Sequence, residues 1–203
     1  MFCQPWVCLQ RYEPMNRICL AVLSCLFLLS PCQSASLEGL SFADKVRLAE
    51  TELSLNGLGV RGIFIFKAYV AGLYLPVKTS QSRDAMSQQG PKRIELQMLM
   101  GVGAEDIRNA LVDGMRKNVS EAQWSQMQER VSRFSSTIMA LGNAQRGDTI
   151  TLDYLPAQGL LLSVNQLSKG QPITGQDFFN ALLAIFIGDD PVDTRLKNGL
   201  LGL

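Results

Sequence analysis

Histidine is absent from this 203-residue chain, and all five cysteines (Cys3, Cys8, Cys19, Cys25, Cys32) fall within its first 32 residues. Lacking the commonest general base and metal ligand, and any thiol beyond residue 32, the rest of the chain is poorly equipped for zinc chemistry or for Ser-His and Cys-His catalysis. No disulfide can staple it, so its core must rest on packing. No cofactor and no metal is expected, and any chemistry would fall to Arg, Lys, Tyr or carboxylates.

Charge of one sign is lacking too. Residues 1–34 carry only Arg11, Arg17 and Glu13, so the remainder holds 17 basic and 17 acidic groups. That balance argues against a nucleic-acid partner and against a polybasic membrane patch.

The N-terminus reads as a secretory signal peptide. Met15-Asn-Arg17-Ile-Cys19 supplies a short basic region, Leu20 to Leu29 an apolar core, and Cys32-Gln-Ser34-Ala35-Ser36 small residues suited to signal peptidase. The apolar core falls short of the roughly 20 residues a spanning helix needs, so no transmembrane segment is expected in the mature chain. Met15 is the expected initiator, and the mature start is expected between Cys32 and Leu37, which points to a periplasmic location. A retained anchor is the alternative, and Leu29-Ser-Pro-Cys32 has the outline of a lipoprotein site. The plan is a removable segment, 1–34, followed by one domain, 35–203, long enough to bury a single core.

Residues 46–55 read as two short strands around a tight connection, followed by a turn at Asn56-Gly57 and a main strand from Ile63 to Leu75. Along that strand Lys67, Tyr69, Ala71, Leu73 and Leu75 share one face, and Phe66, Ala68, Val70, Gly72 and Tyr74 the other. Lys78 to Gly90 reads as a loop, and Arg93 to Met100 as a strand with Ile94, Leu96, Met98 and Met100 inward. A helix is expected over 104–118, then a second opened by a Ser120/Gln123 capping box with Trp124, Met127, Val131, Phe134, Ile138 and Leu141 in its stripe. Strands over 148–154 and 159–165 form a hairpin. Thr174 to Asp177 is expected to cap a third helix through Ile187, Gly188-Asp-Asp-Pro191 to stop it, and a short helix over 193–201 to close the domain. These carboxylates are read as local caps and stops rather than as metal sites.

One residue stands out. Arg61 lies within the apolar stretch Leu58 to Leu75, and a guanidinium cannot shed its charge to escape burial. It therefore needs a partner, either an acidic side chain that ties the fold together (Asp106, Asp113 or Asp153) or an anionic ligand in a cleft.

Gly59-Val-Arg61, Phe66-Lys67-Ala-Tyr69-Val-Ala-Gly72-Leu-Tyr74-Leu-Pro76, Pro91-Lys92-Arg93, Gly188-Asp-Asp-Pro191-Val-Asp193 and the closing Leu-Gly pair together resemble the bacterial chalcone isomerase-like family. The resemblance spans the chain beyond residue 34. It implies an α+β open-faced sandwich, a long antiparallel sheet covered on one side by helices, with a ligand cleft between them. The arginine of plant chalcone isomerases falls on Arg61, their threonine on Tyr69, and their tyrosine and asparagine on Asp106 and Asp113. Carboxylates would oppose the oxyanion that such a cyclisation develops. The fatty-acid-binding branch instead carries an arginine and a tyrosine at Arg61 and Tyr69, and both are kept here.

These readings converge on a secreted, non-catalytic protein that binds a fatty acid or similar lipophilic carboxylate, with Arg61 and Tyr69 at the head group and Lys67 adding positive potential. An isomerase or intramolecular lyase, with Arg61 as electrophilic stabiliser and Tyr69 as acid, is the alternative, as is an envelope interaction protein with a vestigial cleft. Oligomeric state is not legible in the sequence.

Overall fold

A computed structural model describes residues 34–63 and 65–203. The expected signal peptide lies outside the described residues up to Ser34, which already belongs to the first strand. Among the described residues there are nine strands and five helices. A hairpin of β1 (Ser34–Leu37) and β2 (Leu40–Ala43) precedes seven strands: β3 (Lys45–Leu48), β4 (Thr51–Ile63), β5 (Phe66–Leu75), β6 (Lys92–Met98), β7 (Thr149–Leu155), β8 (Gly159–Val164) and β9 (Leu167–Ile173). These seven form one antiparallel sheet in sequence order. Helix α1 (Ser82–Ser87) precedes β6, α2 (Ala104–Lys117) and α3 (Glu121–Leu141) precede β7, and α4 (Gln176–Ile187) and α5 (Thr194–Leu200) end the chain.

Alternation along β5 divides the interior as its sequence requires. Ala71, Leu73 and Leu75 join the main core beneath the helices, while Val70 and Tyr74 join a smaller cluster with Phe42, Leu48, Leu53 and Leu55 on the opposite face. The β1–β2 hairpin covers part of that second face, bringing the Phe42 ring over Gly72, where an added Cβ would meet it at 2.9 Å. Neighbouring Lys92 and Arg93 also face opposite ways. Lys92 is fully buried and donates to the Gln88 carbonyl at the end of α1, while Arg93 grips Asp153 on β7.

Helix α3 follows its apolar stripe. Its capping box is made by Ser120 and Gln123, and Met127, Val131, Phe134 and Ile138 are buried at steps of three and four. Each such side chain contributes roughly 1.5–3 kcal/mol relative to exposure. Asn143, just past its end, accepts from the Ala104 amide and ties the exit of α3 to the start of α2.

Several expected elements differ. Asn56-Gly57 is not a turn but lies within β4, where Asn56 is an extra residue between the pairs Leu55↔Tyr74 and Gly57↔Leu73. Its amide group donates to the carbonyls of Thr79 and Leu200 and accepts from the Thr79 amide, doing for two neighbouring segments what a turn asparagine does for its own backbone. The main strand starts at Phe66 rather than Ile63, which belongs to β4. Helix α1 occupies the expected loop, with buried Ala85 as its anchor. Thr174 does not cap α4: the cap residue is Gly175, without a side-chain bond, and Asp177 is held instead by a two-pronged fork from Arg130. The β1–β2 hairpin and β9 lay in segments too short or too polar to signal strands.

Candidate functional site

The site begins with a departure from strand pairing. Arg61 on β4 stands opposite Tyr69 on β5, but the next pair is Gly62↔Lys67, so Ala68 is an extra residue that bulges β5. A bulge turns two successive side chains to the same side and shifts the parity beyond it. Ala68 and Tyr69 accordingly both line a cavity, and Lys67 does not. The Lys67 ammonium lies on the open surface at 2.7 Å from Glu38 of the β1–β2 turn. The expected grouping of Lys67 with Tyr69 is thus undone by one inserted residue that alternation cannot reveal.

Across the sheet the row continues from Tyr69 to Met98 on β6. Arg61, Tyr69 and Met98 form one wall of the cavity, Ile107, Ala110 and Leu111 of α2 another, and Ile185 and Phe186 of α4 with Val192 close it. The volume is about 160 Å³. Its lining is almost wholly apolar, Arg61, Tyr69 and Asp106 being the polar side chains. A second apolar cavity of about 160 Å³ runs on beneath the end of α3, lined by Ile138, Leu141, Leu152, Leu162 and Val164, with Lys169 and Asp148 among its walls. Leu96, Ile107, Leu111 and Ile150 line both spaces and form the partition between them.

Helix α5 determines what Arg61 meets. Gly57 and Gly59 let α5 lie directly on β4: a Cβ on Gly57 would strike the Gly199 carbonyl, and one on Gly59 would come within 2.6 Å of the Leu196 carbonyl. This close approach delivers Asp193, the N-cap of α5, to Arg61. Asp193 accepts from the amides of Arg195 and Leu196 through one oxygen, while the other lies 3.4 Å from Arg61 Nη1. Burial raises the Asp193 carboxyl pKa, but the amides of Leu196, Arg195 and Gly62, with Arg61, outweigh it and hold the group below the ordinary carboxylate range.

Arg61 therefore has an acidic neighbour, though none of the three expected. Asp153 belongs to Arg93, Asp106 stands exposed at the cavity's edge, and Asp113 is exposed on α2 outside the lining. The contact is long and single. Among the described residues the guanidinium makes no other hydrogen bond, and the Tyr69 hydroxyl makes none. Burial pushes the Tyr69 pKa upward, Arg61 opposes this and Asp193 adds to it, so the phenol stays protonated and able to donate across the physiological range. The arrangement can offer an anion a fork from Arg61 and a third hydrogen bond from Tyr69 at the polar end of an apolar space.

Reasoning from sequence missed Asp193 and the bulge at Ala68. The signal for Asp193 was its capping position, Asp193-Thr-Arg-Leu, together with glycines on the strand that α5 covers. No group of three or more potential metal-ligating side chains occurs among the described residues.

A one-sided antiparallel sheet, backed by helices that enclose an apolar cavity with an arginine and a tyrosine at one end, defines an α+β open-faced sandwich with an internal site. The model of the chalcone isomerase-like family matches residues 34–202, and the chain belongs to that family. No curated protein matches the sequence. Among solved structures, the fatty-acid binding protein of Arabidopsis thaliana superposes with a TM-score of 0.68 at 18% identity, covering 83% of this chain and 96% of that one. At that identity the likeness establishes a shared fold.

Proposed function

We propose that this protein is a non-catalytic carrier or sensor of a fatty acid or similar lipophilic carboxylate. The head group is held by Arg61 and Tyr69, and the chain lies between the sheet and α2. The observation that carries this reading is the convergence of an under-coordinated arginine and an unpartnered tyrosine hydroxyl on an apolar cavity. An apolar cavity of about 150 Å³ takes one benzene, so each of the two spaces here suits about six carbons. A chain of about ten to twelve carbons would fill both by displacing the partition, gaining roughly 0.8 kcal/mol for each methylene buried. The family likeness to a fatty-acid binding protein supports the ligand class.

The carboxylate would take the side of Arg61 that Asp193 leaves open, and export across the inner membrane, suggested by the N-terminal sequence, would place this activity in the periplasm. Mass spectrometry of an organic extract of the purified protein tests the ligand. Co-purifying medium-chain acids in wild type, absent from Arg61→Ala, are expected; equal recovery from both would overturn the reading. N-terminal sequencing of the native protein tests export, with a start between Cys32 and Leu37 expected and one at Met15 contradicting it.

A further inference from the structure

The turn joining β4 to β5 is chemically out of place. Such turns usually carry Asn, Gly, Asp or Ser, which supply local hydrogen bonds and tolerate the backbone angles. Here Ile65 is 88% exposed and Phe66 60% exposed. The turn lies three residues along β5 from Tyr69, and Ile63↔Phe66 and Gly62↔Lys67 are the only pairs between it and the Arg61↔Tyr69 rung.

We infer that this hairpin tip docks on a lipid bilayer, inserting Ile65 and Phe66, so that a lipophilic acid passes between membrane and cavity without crossing water. The docking stands on the exposed tip alone; the transfer rests on the carboxylate site proposed above. Depth sets the first constraint. Three residues of strand span roughly 10 Å, and interfacial elements bury their apolar faces by roughly 5–10 Å. A tip seated in the acyl boundary therefore holds Arg61 and Tyr69 at the level of the head groups, where a membrane-dissolved acid keeps its carboxylate. Area is the second. The two side chains offer roughly 300 Å², against the roughly 800 Å² each partner contributes to a stable protein interface, so a second copy of the chain is a poor occupant.

Charge defines the kind of membrane. Lys67 beside the tip is held by Glu38, and Arg61 has Asp193 near it, which leaves exposed Arg195, lining the same surface hollow as Ile65, Phe66 and Lys67, as the cation near the tip without an acidic partner among the described residues. Docking is then apolar in origin. It should need no anionic lipid and change little with salt.

Flotation with phosphatidylcholine vesicles, with and without phosphatidylglycerol, tests the docking on wild type, on Ile65→Ser/Phe66→Ser and on Arg61→Ala. Wild type and Arg61→Ala are expected to float with both vesicle types. The double variant, whose changes lie at exposed positions of the hairpin tip, should keep its fold and lose about tenfold or more in the bound fraction. Transfer of a fluorescent fatty acid from vesicles should speed up with vesicle concentration for wild type and slow about tenfold in the double variant, with unchanged affinity for the same acid in solution. Failure of wild type to float, or equal flotation of the double variant, overturns docking. A wild-type dimer that the double variant converts to monomer, without flotation, also overturns it and assigns the tip to self-association. Unchanged acid binding by Arg61→Ala would overturn the carboxylate site instead, leaving the flotation result to stand by itself.

Discussion

Two of the molecule's arginine–aspartate pairs, Arg93–Asp153 and Arg61–Asp193, are built to opposite ends. Arg93 reaches Asp153 through Nε at 2.6 Å and Nη2 at 2.7 Å, a closed two-pronged fork on adjacent strands, with side-chain exposures of 20% and 11%. Arg61 reaches Asp193 through one nitrogen at 3.4 Å, with exposures of 25% and 17%. Burial is similar and geometry is not. The strand register Arg93↔Asp153 fixes the first pair within the sheet itself, whereas the second depends on α5 lying over Gly57 and Gly59, 132 residues along the chain from Arg61. In the first, charge is used up in holding the sheet; in the second, donors are left over for something else.

Breaking the closed fork should have the largest effect on stability. Arg93→Ala leaves Asp153 buried without its counter-charge and is expected to lower unfolding free energy by about 3 kcal/mol in urea denaturation, with fatty-acid affinity unchanged. Tyr69→Phe removes the third hydrogen bond at the open pair. It should weaken binding of a medium-chain acid by roughly 1.5–3 kcal/mol, read by calorimetric titration, and leave apo stability within error.

Asp193→Asn sharpens the contrast further. Asparagine keeps a capping oxygen for α5 but removes the negative charge that competes for Arg61, so carboxylate affinity should rise about threefold. The same variant has a predictable pH signature. A carboxyl whose folded pKa is depressed stabilises the protein above its unfolded value and loses that share as pH falls through the folded value. Wild type should therefore lose urea resistance below about pH 4, and Asp193→Asn should lose less. The smallest effect expected is none at all. Because Tyr69 is held protonated by burial, affinity for the ionised acid should stay flat from roughly pH 6 to pH 10, and a fall near pH 8 would show that another group controls the site.

The sheet and the two long helices were legible because their patterns are local. The α3 stripe recurs at helical steps, and β5 alternates cleanly from Val70 to Leu75. Arg61 could be singled out for a related reason, a permanent charge within an apolar run, whereas Tyr69, which shares that run with Tyr74, was marked by the family resemblance. What the chain concealed is tertiary. Lys67 was grouped with Tyr69 because a bulge has no mark in alternation, and Asn56-Gly57 has the same letters in a turn and in a strand irregularity. Asp193 could not be chosen over Asp106, Asp113 and Asp153 because the choice rests on how closely α5 approaches β4. The partition of Leu96, Ile107, Leu111 and Ile150 between the two cavities is a product of packing three elements together, and no spacing along the chain announces it.

Whether Arg61 is kept for a ligand or for the fold is separated most directly by Arg61→Ala, read twice on one preparation. Titration of decanoate should give an affinity about a hundredfold below wild type, while urea denaturation of ligand-free protein gives an unchanged midpoint, since Asp193 keeps its amide partners. A midpoint lowered as far as in Arg93→Ala, with decanoate bound as tightly as by wild type, would contradict the ligand role.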